Sequence, residues 1–364
     1  MHKISQTALT FSFIIITFLL TDVSQVSAQS ATLPGKSEAT STTEAYWPTP
    51  EWRTSTPEAQ GMDTEKLAQM LDMVTQQNLN LHSLLIIRNG YIVSEHYFHY
   101  YYPQEKHVQF SCTKSFIATL VGIAREQGKL DINRPVLDFF PEHTFEHRDA
   151  LKEAMTVEDL LTMRSGLDWR EGDPIYQAMY RSRDWVQFVL NTPMATQPGT
   201  QFNYCSGCSH LLSAIIQPTT GQNTQDFAQK VLFDPLGITD LRWERDTQGI
   251  TLGGWGLELT SRDMAKLGYL YLHNGIWDGQ RIVSADWIAT ATQQHTATDG
   301  KLGYGYQWWT YPLFGAYSAL GRAGQTIFVV PDLNLIIVTT ADLNGHDEIF
   351  NLIEMYIVPA VLNP

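Results

Sequence analysis

The stretch FSCTKSFIATLVGIA, residues 110–124, decides how the chain is read. Phe116, Ile117, Leu120, Val121 and Ala124 recur at three- and four-residue spacing, and Gly128 stands where a helix would stop, so the spacing predicts an apolar helix. Ser111 stands at its start and serves there either as the helix cap or as a nucleophile. A capping box would place Glu or Gln three residues on, where this chain has Lys114. A cation in the first turn faces the positive end of the helix dipole, an unfavourable place for a structural lysine. It suits a base, because a partly buried lysine near positive potential loses its proton more easily. A spacing of three puts both side chains on one face.

Composition bounds the rest. The chain has 364 residues, 43% hydrophobic and 12% aromatic, as in a packed globular protein. Its net charge of −14 argues against nucleic acid or an anionic membrane as partner. Residues 1–28 read as a secretory signal, with a short basic start, the apolar core ALTFSFIIITFLL and a small-residue cleavage site at Val26-Ser27-Ala28. That core is shorter than the ~20 residues a membrane span needs. The expectation is a secreted or periplasmic protein with no stable anchor after cleavage. Residues 29–45 form a Ser/Thr-rich linker. Cys112, Cys205 and Cys208 are an odd number, so at least one thiol stays outside an internal pair. Cys205-Ser-Gly-Cys208 has the spacing of a redox pair or of half a zinc site, without the context either needs.

Along the body, HSLLIIR (82–88), Asn89-Gly90 and YIVSEHYF (91–98) predict a β-hairpin. Short helical pieces follow, among them TVEDLLTMRSG with Thr156 as cap and Asp159 at the box position, and SRDMAKLGYLYLHNG from Ser261. YGYQWWT, GAYSAL, QTIFVVP and LIIVTTA predict an antiparallel meander, and DEIFNLIEMYIVPAVL a closing helix. The order gives an α+β fold: a sheet built from both chain ends (46–130 and 285–364) around a mainly helical insert (131–284). Trp255, Trp308, Trp309, Tyr304 and Tyr306 fit either a hydrophobic cleft or the core.

No Gly-x-Ser-x-Gly elbow, dinucleotide fingerprint or phosphate loop occurs, and nothing calls for a cofactor. Two further stretches accompany Ser111-Cys-Thr-Lys114. In FNYCSGCSH (202–210), Tyr204 suits proton transfer, because a phenol near cations loses its proton more readily. In GRAGQTIFVV (321–330), the glycines let a substrate lie along a strand and Arg322 offers a charge to a carboxylate. In this order the three stretches resemble the serine β-lactamase and penicillin-binding-protein superfamily, which uses Ser-x-x-Lys, then Tyr-x-Asn or Tyr-x-Ser, then Lys/His-x-Gly on a strand. More narrowly, MTVEDLLTMRSGLDW, GGWGLELTSRDMAKLGYLYLHNG and GQTIFVVPDLNLIIVTTA resemble class C-related (family VIII-type) esterases and 6-aminohexanoate-dimer hydrolases, over about residues 46–360. The resemblance implies a β-lactamase/transpeptidase-like fold and a hydrolase acting on a small-molecule or short-peptide ester or amide. It implies Ser111 as nucleophile, Lys114 as its base or proton shuttle, Tyr204 as a group that helps protonate the leaving group, and Ser206, Arg322 and Gly324 at the substrate. It also implies an oxyanion hole of the Ser111 and Gln325 backbone N–H groups. Arg322 departs from the family's Lys or His and retains only positive charge, which favours esterase or amidase over β-lactamase activity. Two other readings stand beside this one. HTFEH (143–147) has the His-x-x-Glu-His pattern of a zinc hydrolase using His143, Glu146 and His147, provided both histidines lie on one helix face. The other is a catalytically silent relative that binds a ligand.

Overall fold

The computed structural model describes residues 46–298 and 300–362. The expected signal and linker, residues 1–45, lie outside the described residues. The first hairpin forms as the sequence predicts: β1 (Leu81–Arg88) and β2 (Tyr91–Tyr97) meet at a two-residue turn. Asn89 and Gly90 both sit at positive φ, 50° and 78°, the conformation this turn requires. Six more strands come from the C-terminal part: β3 (Thr296–Ala297), β4 (Gly303–Tyr304), β5 (Trp309–Tyr311), β6 (Ala316–Gly321), β7 (Gln325–Val330) and β8 (Leu335–Ala341). They join into one antiparallel sheet of order β2-β1-β8-β7-β6-β5-β4-β3. The two chain ends meet where β1 pairs with β8, Ile86 opposite Ile337. YGYQWWT makes two short strands, not one. The chain turns at Gln307, at φ 59°, and Gly305 packs where a Cβ would lie 2.1 Å from the Ala291 carbonyl.

Every residue of β1 and β8 is buried, so both faces of the sheet are covered. One face (Leu84, Ile86, Phe328, Ile337) packs against α1 (Thr64–Gln76) and the C-terminal helical segment through Ile349, Leu352 and Ile357. The alternate residues (Leu85, Ile87, Ile327, Val329, Ile336) join the larger core. There lies α2 (Thr113–Glu126), buried from Thr113 to Ala124, as a helix apolar on nearly all sides must be. α3 (Asp173–Arg181) and α4 (Ser206–Thr220) belong to the helical region, and α4 packs on α2. α5 (Ser261–Leu272), inside the span assigned to the insert, packs on β7 and β8. A Cβ at its Gly268 would lie 3.0 Å from the Ile327 and Ile336 side chains. The capping box at Thr156 and Asp159 is formed.

Candidate active site

Ser111 is not a cap. Residues 110–112 make a single 3-10 turn ahead of α2, whose N-cap is Cys112 with no side-chain capping bond. Phe110 enters this turn at φ 46°, a left-handed conformation that costs a non-glycine residue about 1–2 kcal/mol. The turn packs on the ends of β6 and β7. Gly321 permits that approach, since a Cβ there would lie 2.2 Å from the Gln109 carbonyl. Cys112, the free and buried cysteine, donates its thiol to the Gln325 carbonyl at 3.3 Å and ties the turn to β7.

Lys114, one turn on, is 1% exposed. Its Nζ lies 3.0 Å from Ser111 Oγ, 2.9 Å from Ser206 Oγ and 2.7 Å from the Gly254 carbonyl. Burial pushes the amine down to about 8, with Glu171 and Cys112 opposing. The Gly254 carbonyl reaches it because the preceding loop has no side chains in the way. A Cβ at Gly253 would lie 2.0 Å from the Ser209 carbonyl of α4, and one at Gly254 3.0 Å from the Ser206 carbonyl.

The second stretch forms the opposite wall. Cys205 and Cys208 form a disulfide, and Cys205 Sγ caps α4 by accepting the Cys208 N–H. Ser206 therefore sits at the first position of a clamped helix. The Tyr204 hydroxyl hydrogen-bonds to Ser111, and its ring stacks on Trp309 at 5.8 Å. Its phenol does not lose its proton more readily, as the nearby cation suggests. Burial raises it well above the usual tyrosine range, Ser111 opposes, and Glu171 raises it further. Tyr204 therefore keeps its proton at neutral pH.

Sequence reasoning missed Glu171. Its carboxylate accepts the Ser206 N–H at 3.0 Å, the Ser206 hydroxyl and Trp169 Nε1 at 2.5 Å each, and the Tyr176 hydroxyl. Asn203 holds the 167–169 backbone beside Tyr204 by donating to the carbonyls of Leu167 and Trp169. The quoted stretch ending at Trp169 stops two residues short of this group.

At the third stretch, Ala323 and Gly324 turn the chain at φ 66° and 93°. The buried Gln325 side chain fixes the turn by donating to the carbonyls of Arg322 (2.9 Å) and Ala341 (2.8 Å). Gly324 faces Ala341 and Leu343 and lines neither of the two cavities at Ser111. Arg322 lines both, is exposed, and makes no ion pair among the described residues. One cavity, about 230 Å³, is bounded by Phe110, Tyr176, Tyr180 and Trp255. The other, about 490 Å³, is bounded by Glu171, Tyr204, Trp309, Leu320 and His346. Of the aromatic candidates, Trp255 and Trp309 line cavities, whereas Tyr304, Tyr306 and Trp308 are core.

The zinc reading fails on geometry. Residues 143–147 are turn and loop, the next helix begins at Ala150, and His147 sits at φ 53°. His143 pairs with Asp184 at 3.4 Å. The helix face that would present both histidines does not form.

A Ser-x-x-Lys pair at the start of a buried helix beside an antiparallel sheet defines a serine hydrolase of the β-lactamase/transpeptidase class. Residues 58–359 match the family model described as Beta-lactamase, and the chain belongs to that family. It is 26% identical over 282 residues to a 6-aminohexanoate-dimer hydrolase of Paenarthrobacter ureafaciens, covering 70% of this chain and 71% of that one. Among solved structures it resembles a putative 6-aminohexanoate-dimer hydrolase from Bacillus anthracis, with TM-score 0.69 and 22% identity over 80% of this chain and 81% of that one. It also resembles a family VIII carboxylesterase, with TM-score 0.63 and 17% identity over 81% and 96%. Both structural likenesses support the β-lactamase/transpeptidase-like fold.

Proposed function

We propose that this protein is a secreted hydrolase that cleaves an ester or linear amide through an acyl-enzyme on Ser111. In the first step Ser111 Oγ bonds to the acyl carbon, its proton passes to Lys114 Nζ, and the carbonyl π pair moves to oxygen. The backbone N–H groups of Ser111 and Gln325 receive that oxyanion, where one lost donor typically costs ~10²–10³ in turnover. The carbon–leaving-atom bond then breaks. The leaving atom takes a proton from the Tyr204 hydroxyl, which recovers one from Lys114. Water next attacks the acyl carbon and gives up a proton by the same route. The acid is released and Ser111 Oγ is reprotonated.

The observation that carries the reading is Lys114, buried to 1% exposure, with its amine 3.0 Å from Ser111 Oγ and its pKa pushed down to about 8. A lysine so placed is a base near neutral pH. Arg322 in the third stretch supplies charge without proton exchange, which favours esters and linear amides over β-lactams. The curated relative named a 6-aminohexanoate-dimer hydrolase is in keeping with this reading. Secretion rests on residues 1–28 and on the Cys205–Cys208 disulfide, which suits an oxidising compartment.

The test is labelling with a fluorophosphonate, followed by peptide mass spectrometry and a hydrolysis panel of p-nitrophenyl esters, a linear aminohexanoate dimer, a chromogenic cephalosporin and a D-Ala-D-Ala peptide. Label on Ser111, lost in Ser111→Ala together with activity, is the expected result. Label elsewhere, activity that survives Ser111→Ala, or activity removed by EDTA and restored by zinc overturns it.

A further inference from the structure

We propose that Glu171 is a positioning residue that fixes the direction of the hydrogen bonds around Lys114 and balances the charge Lys114 acquires when Ser111 gives up its proton. The inference rests on the hydrolase reading above and goes beyond it.

Donor counting carries the argument. Four donors converge on the Glu171 carboxylate: the Ser206 N–H, the Ser206 hydroxyl, Trp169 Nε1 and the Tyr176 hydroxyl, whose oxygen also lies 3.2 Å from Ser206 Oγ. A carboxylate can only accept, so the single proton of the Ser206 hydroxyl is committed to Glu171. Toward Lys114, 2.9 Å away, Ser206 Oγ can then only accept. The Gly254 carbonyl, 2.7 Å from the amine, is likewise an acceptor. A neutral amine has two N–H bonds and one lone pair. Ser206 and Gly254 use both N–H bonds, and the lone pair is left for Ser111 Oγ at 3.0 Å. Without the carboxylate, the Ser206 proton is free to turn onto Lys114 and occupy that lone pair. When Lys114 takes the Ser111 proton, the new positive charge has a carboxylate one hydroxyl away, with no bonds to rearrange.

The same arrangement sets the direction of a measurable pH effect. The titratable groups facing Lys114 are Cys112 on its own element, Tyr204 and Tyr176 across the cleft, and Glu171. Arg322 lines the same cavity as Glu171. Of these, Glu171 is the leading group that raises the lysine against the larger effect of burial. Removing its charge therefore moves the acid limb of activity to lower pH even as the limiting rate falls. A residue that merely held the loop in place would lower the rate without moving the limb in this direction.

The experiment is the pH profile of kcat/KM for p-nitrophenyl butyrate, with the rate of fluorophosphonate labelling in parallel. It is run on the full-length wild type, Glu171→Gln, Glu171→Asp and Tyr176→Phe. Glu171→Gln should lower the plateau about tenfold or more and shift the acid limb down by about half a pH unit. Glu171→Asp, which keeps the charge, should hold the limb near its wild-type position. Tyr176→Phe removes a donor from the carboxylate, strengthens its field at Lys114 and should shift the limb upward. That opposite shift keeps the test decisive if Glu171→Gln does not fold. An unmoved limb in folded Glu171→Gln or Tyr176→Phe, or a shift of the reverse sign in either, overturns the role of Glu171. A wild type that is not labelled at Ser111 overturns the hydrolase reading itself, and this inference with it. A labelled, active wild type with an unmoved Glu171→Gln limb overturns only the inference.

Discussion

On the proposed reading only neutral Lys114 accepts the Ser111 proton, so activity should follow its titration. With the amine at about 8, roughly one tenth of the enzyme carries a neutral lysine at pH 7 and about nine tenths at pH 9. The kcat/KM for a p-nitrophenyl ester should rise about tenfold across that interval, reach half its limit near pH 8 and level off. An ordinary lysine would give about a hundredfold rise with no plateau below pH 10. The assay is initial rates at low substrate in a constant-ionic-strength buffer series, with spontaneous hydrolysis subtracted. A profile flat from pH 6 to 9, or still climbing log-linearly beyond pH 9, refutes the reasoning. Stability supplies a second readout of the same group. Its folded pKa lies below its unfolded one, so between about 8 and 10.5 the unfolded chain binds more protons and stability rises with pH. The gain is at most about 3 kcal/mol, and its slope should vanish from the denaturation midpoints of Lys114→Met.

Tyr204→Phe removes a proton donor and no charge. Its loss of kcat/KM should be about tenfold or more for a linear amide or alkyl ester and much smaller for a p-nitrophenyl ester, whose leaving group needs no proton. Equal losses on both would count against the leaving-group role. Arg322 is exposed, so its charge is partly screened. Arg322→Met should cost about fivefold in kcat/KM on a substrate bearing a carboxylate and little on the matching amide, and Arg322→Lys should lose less. No preference for the acid would remove Arg322 from the site. Gly253→Ala forces a Cβ to within 2.0 Å of the Ser209 carbonyl. It should lower stability by about 2 kcal/mol and displace the Gly254 carbonyl from Lys114, so both melting temperature and activity fall. Gly300→Ala meets nothing closer than 3.9 Å and should change neither.

The parts of this site legible in sequence are those written within a few residues. Ser111 and Lys114 share one turn, and the unfavourable lysine in that turn is itself the signal. Tyr204 and Ser206 flank a helix start, and Gln325 follows a Gly-rich turn. The hairpin was legible because Asn89-Gly90 chooses its own conformation, and the paired chain ends because β1 and β8 are apolar on both faces. What could not be read depends on approach across the fold. Glu171 reaches Ser206 only because residues 163–171 fold back over the start of α4, where Asn203 fastens them. The Gly254 carbonyl carries no sequence signature of its own. Gly324 looked like a substrate contact, but its lack of a side chain is needed to clear Ala341 and Leu343 inside the fold. YGYQWWT reads as one strand by composition, yet Gly305 and Gln307 bend it against Ala291.

The neighbours of Lys114 show how a buried lysine stays usable as a base. A carboxylate in direct contact would return its pKa toward the ordinary value and leave it protonated. An apolar cage would lower the pKa but leave N–H groups without partners, at a cost of about 1–3 kcal/mol each. Here the amine contacts two hydroxyls and a carbonyl, which satisfy its hydrogen bonds without neutralising a charge. The nearest carboxylate lies one residue away, on the far side of Ser206. That spacing requires a small hydroxyl residue at the first position of α4. It also requires the paired glycines that bring Gly254 within 2.7 Å, and a helix start held by the Cys205 cap. Replacing Ser206 by alanine would remove the spacer and the acceptor together, while replacing it by aspartate would place the charge on the amine itself. On the proposed mechanism the first change leaves a base without its alignment, and the second leaves an ion pair with no base.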